Sequence, residues 1–523
     1  MRNGCYFLWN GPVQRPDQPF YVSIIEQGAT GHLRMVNLYS TESQHPVFMH
    51  GSYLLLGLCS MIFHISPLIM YHIGHVVLGA VLLAVCWFAL SVLLKDDIAK
   101  KMAFTLICFS AGIGWLTSHR LGEASSVDLW MNEAVTYSTL AAPHYALATA
   151  LKFGALICFF LAVKRDRKRY AAIAGLCSGA LVFEHPYQLV SIAVIAAIYG
   201  LLSVAACRDG DRIELGRRVI TNGLLVVAIA LPFVIAGWRE ASTSELIRLR
   251  SQSSDGPVPP FPSIIEGYGL LWILAFAGVW SEAREGRILD RDALLFLVVL
   301  SLAGTFLMMP LGAVWFSRRL ILGAHIPIAI LAGVGLAGLY ARAVSSRVPS
   351  LVAKMIAGAV ILFCSTTNLA SFYEALVSLS YPLSETEASR YTLTKPEDDA
   401  IHWIRANTAR SAVVQALPCL HLNKDDHTYF GDETLLEWEP ALTGRKTYVA
   451  HYLETYQYAK KFAAITNLDL RGAPIDYLVY TDGPLELRAY APLQRAVPPS
   501  GLVKVYVNHN ITIFRVVPSA DRV

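Results

Sequence analysis

The sequence predicts a polytopic α-helical membrane protein that ends in a small α/β domain. Of its 523 residues, 54% are apolar and only 16% are Asp, Glu, Lys or Arg, whereas soluble proteins carry roughly 25% charged residues. The mean hydropathy is +0.46. Ten apolar runs approach the length of a membrane-spanning helix, about 20 residues, and the last ends before residue 383. A net charge of +4 is too small to indicate a nucleic-acid partner.

The ten apolar runs divide the chain into three parts. They cover 67–94, 101–118, 143–164, 169–185, 187–207, 218–238, 263–281, 292–309, 320–341 and 350–375. Residues 48–64 are also apolar, but they are fewer and are interrupted by glycine. We therefore predict an outer loop with an interfacial helix over 1–66, a transmembrane bundle over 67–382, and an extracytoplasmic α/β domain over 383–523.

Basic residues indicate how the bundle is oriented. The loops on one side of the predicted spans contain eighteen Lys and Arg, and those on the other side contain six. The richer side is predicted to be cytoplasmic, which places the N-terminal 45 residues and the C-terminal domain outside the inner (plasma) membrane. Because Met1–Asn10 has no signal-peptide core, we expect a further membrane helix before the given sequence. If 48–64 spanned the membrane, the N-terminus would instead be inside.

The C-terminal domain is predicted to combine one helix with several strands. Residues 396–406 have an amphipathic helical pattern, and 411–417 and 474–481 resemble buried strands. Two further strands within 502–516 form a predicted hairpin, which turns at Asn508-His509-Asn510. The segment Thr443–Lys461 is rich in tyrosine and basic residues. It either faces a membrane site or an acceptor glycan, or forms an ordinary helix.

Acidic residues and histidines mark the predicted outer loops. Asp17, Tyr21 and Glu42 lie in the first loop, where a carboxylate with an aromatic residue four positions on suits a general base beside a sugar-binding surface. Glu133 lies in the second loop, and His144 stands at the entrance of the next apolar run. The alternative interpretations are a solvated loop and a polar helix terminus without a functional role.

Two more motifs lie at the predicted outer membrane edge. His185 follows Glu184 between two apolar runs, and ionisable residues at this depth are candidates for a functional site because their burial is costly. A turn between two helices would also explain them. Arg318 and Arg319 precede the run 320–341 on the side that is otherwise poor in basic residues. Their guanidinium groups suit a phosphate, or they anchor the chain to lipid headgroups.

In their order along the chain, these motifs resemble the GT-C superfamily of integral-membrane glycosyltransferases. The resemblance is to the bacterial branch related to the protein mannosyltransferases and the lipid A aminoarabinose transferases, and it covers nearly the whole chain. The motifs are Asp17 and Tyr21 with Gly31, Tyr39-Ser40-Thr41-Glu42, Tyr53-Leu54-Leu55-Leu56-Gly57, Asp128-Leu129-Trp130 with Glu133, Pro143-His144, His185-Pro186, Leu442-Thr443-Gly444-Arg445 and Ile475-Asp476-Tyr477.

The resemblance implies that a sugar moves from a polyprenyl-phosphate donor to a hydroxyl of a glycan, lipid or protein acceptor, with Asp17 as the general base. The implied substrate-binding residues are Tyr21, Glu42, Glu133, His144, His185, Arg318 and Arg319, of which the two arginines would hold the lipid phosphate. Gln18 stands where many relatives carry a second acid, so a divalent metal is unsupported and no cofactor is assigned. A transporter or flippase of lipid-linked sugars and a non-catalytic relative stay as alternatives.

Overall fold

The chain folds into two compact units. The computed structural model describes residues 5–7, 17–121, 126–207, 209–244, 258–311, 314, 316–380, 392–417, 419–422, 429–432, 434–451, 454–481, 501–509 and 511–517. Unit 1 comprises Met1–His72, Ser242–Ser253 and Ser378–Val523. Unit 2 comprises Ile73–Ala241 and Ser254–Val377.

Unit 1 contains two N-terminal helices and the C-terminal α/β domain. Its helices are Gln18–Ala29, Gly51–Phe63, Lys395–Asn407, Thr434–Thr443 and Tyr458–Thr466. Its strands are β1 (Cys5–Phe7), β2 (Thr392–Thr394), β3 (Val414–Ala416), β4 (Cys419–Leu422), β5 (Tyr429–Asp432), β6 (Tyr477–Thr481), β7 (Leu502–Asn508) and β8 (Ile511–Val516). Side chains of the N-terminal helices and of the C-terminal domain share one hydrophobic core, which includes Phe20, Tyr53, Trp438 and Phe514.

The main sheet of unit 1 has four strands in the order β3-β6-β8-β7. Strand β3 runs parallel to β6, whereas β6, β8 and β7 are antiparallel neighbours. The predicted hairpin within 502–516 is confirmed by the pairing of β7 with β8. The predicted helix over 396–406 is also confirmed, and it begins with a capping box in which the side chains of Thr394 and Glu397 bind each other's backbone N–H groups.

The segment expected to be the first outer loop contains a helix, Gln18–Ala29, and is not a loop throughout. Pro19 occupies the first turn, where a missing N–H costs nothing. The apolar side chains that follow are buried in the core of unit 1. The second N-terminal helix, Gly51–Phe63, covers the predicted interfacial segment. Burial against the C-terminal domain therefore gives the N-terminal segment its structure.

The two N-terminal helices approach each other at a pair of glycines. A Cβ atom added to Gly57 would lie 2.4 Å from the carbonyl oxygen of Ile25 and 2.6 Å from the Cα of Gly28. A Cβ on Gly28 would meet the carbonyl oxygen of Leu54 at 2.6 Å. All three distances are shorter than any normal contact of a Cβ atom, so only glycine permits this approach.

We expect Gly57→Ala to destabilise unit 1 by about 1–3 kcal/mol, since the helices must separate to admit the methyl group. The measurement is the thermal unfolding temperature of the detergent-solubilised protein. Gly358→Ala is the matched control: it lies in the helix Ser350–Cys364, and its added carbon meets no atom of the described residues within 4 Å. Equal unfolding temperatures for the two variants would contradict the packing argument.

Unit 2 is a bundle of helices. The helices that lie wholly or mainly within it are Pro67–Leu93, Asp97–Phe109, Gly114–Leu121, Val127–Trp130, Thr136–Thr139, Pro143–Arg165, Lys168–Leu181, Gln188–Ala205, Asp209–Thr243, Phe261–Tyr268, Leu270–Glu285, Arg291–Phe306, His325–Ser345, Ser350–Cys364 and Thr366–Ser380, with a 3₁₀ helix over Ser317–Ile321. Its hydrophobic core extends from Leu82 to Cys364.

Six helical segments in the described part of the chain are long and apolar enough to cross a membrane, or eight if each of two bent pairs forms one span. The bends are 76° between Phe261–Tyr268 and Leu270–Glu285, and 56° between Ser350–Cys364 and Thr366–Tyr373. All ten predicted runs are largely helical, but Lys168–Leu181 has only 14 residues and Arg291–Phe306 only 16. The count of ten spans therefore stays a prediction.

Two central segments of the bundle carry candidate site residues. The apolar windows of Pro143–Arg165 and Ser317–Ser345 are 83% and 94% buried. Gly335 on the second segment packs closely against the backbone of the helix Leu270–Glu285. A Cβ added to Gly335 would lie 2.1 Å from the carbonyl oxygen of Leu274 and 2.8 Å from the backbone nitrogen of Gly278. Small residues at such crossings are typical of membrane helix packing. His144 thus begins one central segment, and the Arg318–Arg319 pair begins the other.

Candidate functional site

Asp17 is held by a histidine of the C-terminal domain. It precedes the helix Gln18–Ala29 as its N-cap residue, and one of its carboxylate oxygens lies 3.3 Å from Nε2 of His451. The side chain of Asp17 is 33% exposed, whereas that of His451 is only 1% exposed. Asp17 is therefore the member of this pair that an incoming molecule can reach.

Aromatic rings pack beside Asp17. Tyr21 stacks on Tyr53 with 4.7 Å between ring centroids, and its ring edge contacts His50 at 5.5 Å. Tyr53 in turn stacks on Tyr71 at 6.0 Å. Tyr21 is buried in this stack, so its observed contacts belong to the core, and the substrate contact expected for it stays a prediction.

Glu42 also pairs with the C-terminal domain. Its Oε1 lies 2.6 Å from Nζ of Lys461, and its other oxygen accepts a hydrogen bond from the Ser40 hydroxyl. Burial alone would raise the pKa of Glu42, but the hydrogen bonds from Lys461 and Ser40 outweigh it and lower the pKa below its usual value. Glu42 is thus an anion that pairs with the buried Lys461. About a third of the Glu42 side chain is exposed.

We expect Glu42→Gln to lower the free energy of unfolding by about 1–3 kcal/mol, because it leaves the buried Lys461 ammonium without its counter-charge. Lys461→Met, which removes that buried charge, should cost less. The double variant Glu42→Gln/Lys461→Met should therefore be more stable than Glu42→Gln alone. Chemical unfolding of the three variants measures this order, and additive losses would contradict it.

Glu26, the third acid of the N-terminal segment, has a structural environment. It is buried and pairs with the guanidinium of Arg405 in the helix Lys395–Asn407. Burial raises the pKa of Glu26, although Arg405 opposes this shift. Close by, the buried Arg445 donates to the carbonyl oxygens of Thr443, Arg405 and Thr408 at 2.7–2.9 Å. This network joins the first helix to the C-terminal domain.

In unit 2, Glu133, His144 and His185 come together. The hydroxyl of Tyr145 donates to Glu133 at 3.1 Å. The imidazole of His185 stacks on Tyr145 with centroids 5.2 Å apart and on His144 at 5.3 Å. All three predicted residues are buried. The two histidines and the glutamate therefore form a single polar cluster, although they come from three separate places in the sequence.

This cluster continues to the two arginines through Tyr187. The Tyr187 hydroxyl contacts Nδ1 of His185 and accepts a hydrogen bond from Nη1 of Arg319 at 3.3 Å. Gln188 donates to the backbone oxygen of Arg319 at 2.6 Å. The guanidinium of Arg318 lies 5.7 Å from the ring of Trp130. Both arginines are half-buried, which suits cations that meet an anionic group at a membrane edge.

A buried lysine supports the turn that carries these arginines. Nζ of Lys152 donates to the carbonyl oxygens of Leu320 and Leu322 at 3.2 and 2.7 Å. These carbonyls close the 3₁₀ helix that begins at Ser317. The amino group of Lys152 therefore binds the C-terminal end of this helical turn and fixes the backbone that follows Arg319.

Asp128, part of a motif in the predicted second outer loop, has structural contacts. Its Oδ2 accepts the backbone N–H of Gly112 at 2.9 Å, and its Oδ1 accepts the hydroxyl of Ser126. Burial raises the pKa of Asp128 in spite of these hydrogen bonds. Among the residues that the structure describes, no three His, Cys, Asp or Glu side chains are grouped as metal ligands.

No protein-family model matches the chain, and neither does any curated protein sequence. Solved structures do match. The chain is similar to ArnT from Cupriavidus metallidurans bound to undecaprenyl phosphate, with a TM-score of 0.52 and 13% identity over 97% of this chain and 94% of that one. It is similar to the arabinofuranosyltransferase AftD from mycobacteria, with a TM-score of 0.51 and 15% identity over 99% of this chain and 39% of that one. Both are GT-C glycosyltransferases.

The chain has the GT-C fold. The oligosaccharyltransferase from Archaeoglobus fulgidus is a third match, at 14% identity and a TM-score of 0.48 over 89% of this chain. This chain spans 64% of the length of that protein. The matches to ArnT and AftD confirm the expected GT-C membrane fold.

Within this GT-C fold, several partners of the predicted residues were missed in the sequence. His451 and Lys461 belong to the segment Thr443–Lys461, whose richness in tyrosine and basic residues was the only signal for them. Among the described residues of this segment, the helical ones are at its two ends. Its side chains His451 and Lys461 contact Asp17 and Glu42 within unit 1. The remaining missed residues, Tyr145 and Tyr187, each lie within two positions of a predicted histidine.

Proposed function

We propose that the chain is a membrane glycosyltransferase that moves a sugar from a polyprenyl-phosphate donor to an acceptor hydroxyl at the extracytoplasmic face of the plasma membrane. The observation that carries this proposal is a partly exposed carboxylate, Asp17, held by a buried histidine in a chain with the GT-C fold. A positioned carboxylate that an acceptor can reach is the group that general-base catalysis needs.

In the proposed reaction, the acceptor oxygen bonds to the anomeric carbon of the sugar. The bond between that carbon and the phosphate oxygen breaks, and its electron pair leaves with the polyprenyl phosphate. Asp17 takes the proton of the acceptor hydroxyl. Acid–base assistance of this kind typically contributes 10²–10⁴-fold to a rate.

Arg318 and Arg319 bind the lipid phosphate in this proposal. They are two cations on one turn, and Lys152 and Gln188 brace the backbone of that turn. Paired guanidinium groups bind phosphate through charge-assisted hydrogen bonds. The ArnT structure contains undecaprenyl phosphate, which supports a polyprenyl phosphate as the lipid class. Glu42, Glu133, His144 and His185 serve the sugar, as polar groups beside aromatic rings do in carbohydrate sites.

The test is the fate of radiolabelled undecaprenyl-phosphate sugars in proteoliposomes that contain the purified chain and a cell-envelope extract as acceptor. A transferase releases undecaprenyl phosphate and transfers the label to a component of the extract. Liposomes without the protein are the control. Movement of the intact lipid-linked sugar across the bilayer, with no release of undecaprenyl phosphate, would show a transporter and overturn the proposal.

A further inference from the structure

We infer that His451 is a positioning residue for Asp17: it holds the carboxylate ionised and oriented, and thereby makes the C-terminal domain part of the catalytic machinery. This inference rests on the proposed role of Asp17 as the general base. It assigns a function in the reaction to a residue of the soluble domain, more than four hundred residues along the chain from the carboxylate.

The geometry separates the roles of the two side chains. Nε2 of His451 lies 3.3 Å from Oδ1 of Asp17, and the histidine is almost completely buried while the aspartate is partly exposed. The acceptor can therefore reach Asp17 but not the imidazole behind it. A histidine in this place orients the carboxylate and does not itself touch the acceptor.

The surroundings of His451 fix its position. Its carbonyl oxygen accepts the N–H groups of Glu454 and Thr455 at 3.2 and 2.9 Å, and the ring of Tyr39 meets its imidazole edge-on at 6.3 Å. Tyr39 is itself anchored, because its hydroxyl donates to the carbonyl oxygen of Glu437 at 2.8 Å. The imidazole is therefore aimed at Asp17 by a buried and hydrogen-bonded frame.

The charges that face His451 favour the imidazolium. Burial alone would lower the pKa of His451, but the hydrogen bond and charge of Asp17, together with the charges of Glu454 and Glu437, outweigh it and raise the pKa above the usual 6.5. Asp17 precedes the N-terminal helix, Glu437 lies in the helix Thr434–Thr443, and Glu454 follows His451 in the chain. A cation beside a carboxylate favours its ionised form, which is the form that can accept a proton.

This arrangement has a consequence for how kcat depends on pH. His451 keeps its own proton throughout the transfer, while the proton of the acceptor hydroxyl moves to Asp17. When the pH rises through the pKa of His451, the imidazole becomes neutral. Asp17 stays ionised but loses the charge-assisted hydrogen bond that orients it. We therefore expect kcat to fall on the alkaline side in the wild type.

The experiment compares the wild type with His451→Gln and His451→Lys, using an undecaprenyl-phosphate sugar that the wild type turns over, between pH 6 and 10. We expect His451→Gln to lower kcat about 10- to 100-fold with little change in KM, and to lose the alkaline limb. His451→Lys keeps a cation and should retain more activity than His451→Gln, with its alkaline limb at higher pH. His402→Gln is the matched control, since His402 forms an exposed pair with Asp398 at 3.6 Å.

A second readout needs no substrate. A group whose pKa is raised by folding adds stability below its unfolded pKa and loses that contribution as the pH rises through its folded pKa. The unfolding temperature of the wild type should therefore fall more steeply above about pH 6.5 than that of His451→Gln. His402→Gln should follow the wild type.

The outcomes separate this inference from the proposed function. If Asp17→Asn keeps full activity, the proposed function fails. If Asp17→Asn is inactive while His451→Gln keeps the wild-type kcat and pH profile, the function stands and the inference is overturned. If the His451 variants do not fold, the pH dependence of kcat of the wild type still tests the inference. A kcat that stays constant from pH 7 to 10 also overturns it.

Discussion

The Asp17→Asn variant is expected to lose about 10²–10⁴-fold in kcat and to keep its fold. Asparagine has the shape of aspartate, but its amide cannot accept the proton of the acceptor hydroxyl. Asp17 makes no side-chain hydrogen bond to the backbone of the helix that it precedes, so the substitution removes no cap. The measurement is the release of undecaprenyl phosphate from the labelled donor at saturating substrate, with the unfolding temperature as a check on folding.

The matched control for this variant is Asp469→Asn. Asp469 also lies in unit 1 and pairs with a cation, Arg471, at 2.8 Å, but the pair is exposed. Exposed pairs contribute little to stability because solvent screens them, so the control should keep both activity and stability. Full transfer by Asp17→Asn would remove Asp17 as the base and would leave Glu42, the other partly exposed acid of the segment, as the next residue to test.

The double variant Arg318→Gln/Arg319→Gln is expected to bind undecaprenyl phosphate about 100-fold or more weakly. A hydrogen bond to a charged group contributes about 1.5–3 kcal/mol, and 1.4 kcal/mol corresponds to a tenfold change in Kd. Each single variant should lose about tenfold or more. Binding of radiolabelled undecaprenyl phosphate to the detergent-solubilised protein gives Kd directly, without the need for an acceptor.

Arg284→Gln is the control for the arginine pair. Its guanidinium lies 4.1 Å from the ring centre of Trp280, so it matches the contact of Arg318 with Trp130 but belongs to a different part of unit 2. Its removal should leave Kd unchanged. If the double variant also keeps the wild-type Kd, the two arginines do not hold the phosphate, and anchoring to lipid headgroups explains them better.

The local elements of the fold were predictable from the sequence because they depend on local patterns. The helix over 396–406 carries its own cap, and strands β7 and β8 are neighbours in the sequence as well as in the sheet. The predicted turn residue Asn510 lies outside the described residues. The helix Gln18–Ala29 was missed because polar residues surround a short apolar run. Its burial is supplied by side chains near the other end of the chain, and no local pattern shows such a contact.

The candidate site was predictable to a similar extent. Asp17, His185 and the Arg318–Arg319 pair stood out because charge at a membrane edge is unusual. Their partners did not, since His451 and Lys461 have no distinguishing local pattern until the fold brings them to Asp17 and Glu42. Pairings over such a distance are set by tertiary structure and leave no periodicity in the sequence.

The construction of unit 1 from both ends of the chain has a consequence for biosynthesis. Asn37 donates to the backbone of Glu454, 417 residues later. At about 5–20 residues per second, the ribosome needs roughly 20–80 s to deliver that partner. During this interval Asp17 and its neighbouring tyrosines have emerged without the surface that buries them. Loss of the last 140 or so residues should therefore leave the helix Gln18–Ala29 without the core that buries its apolar side chains.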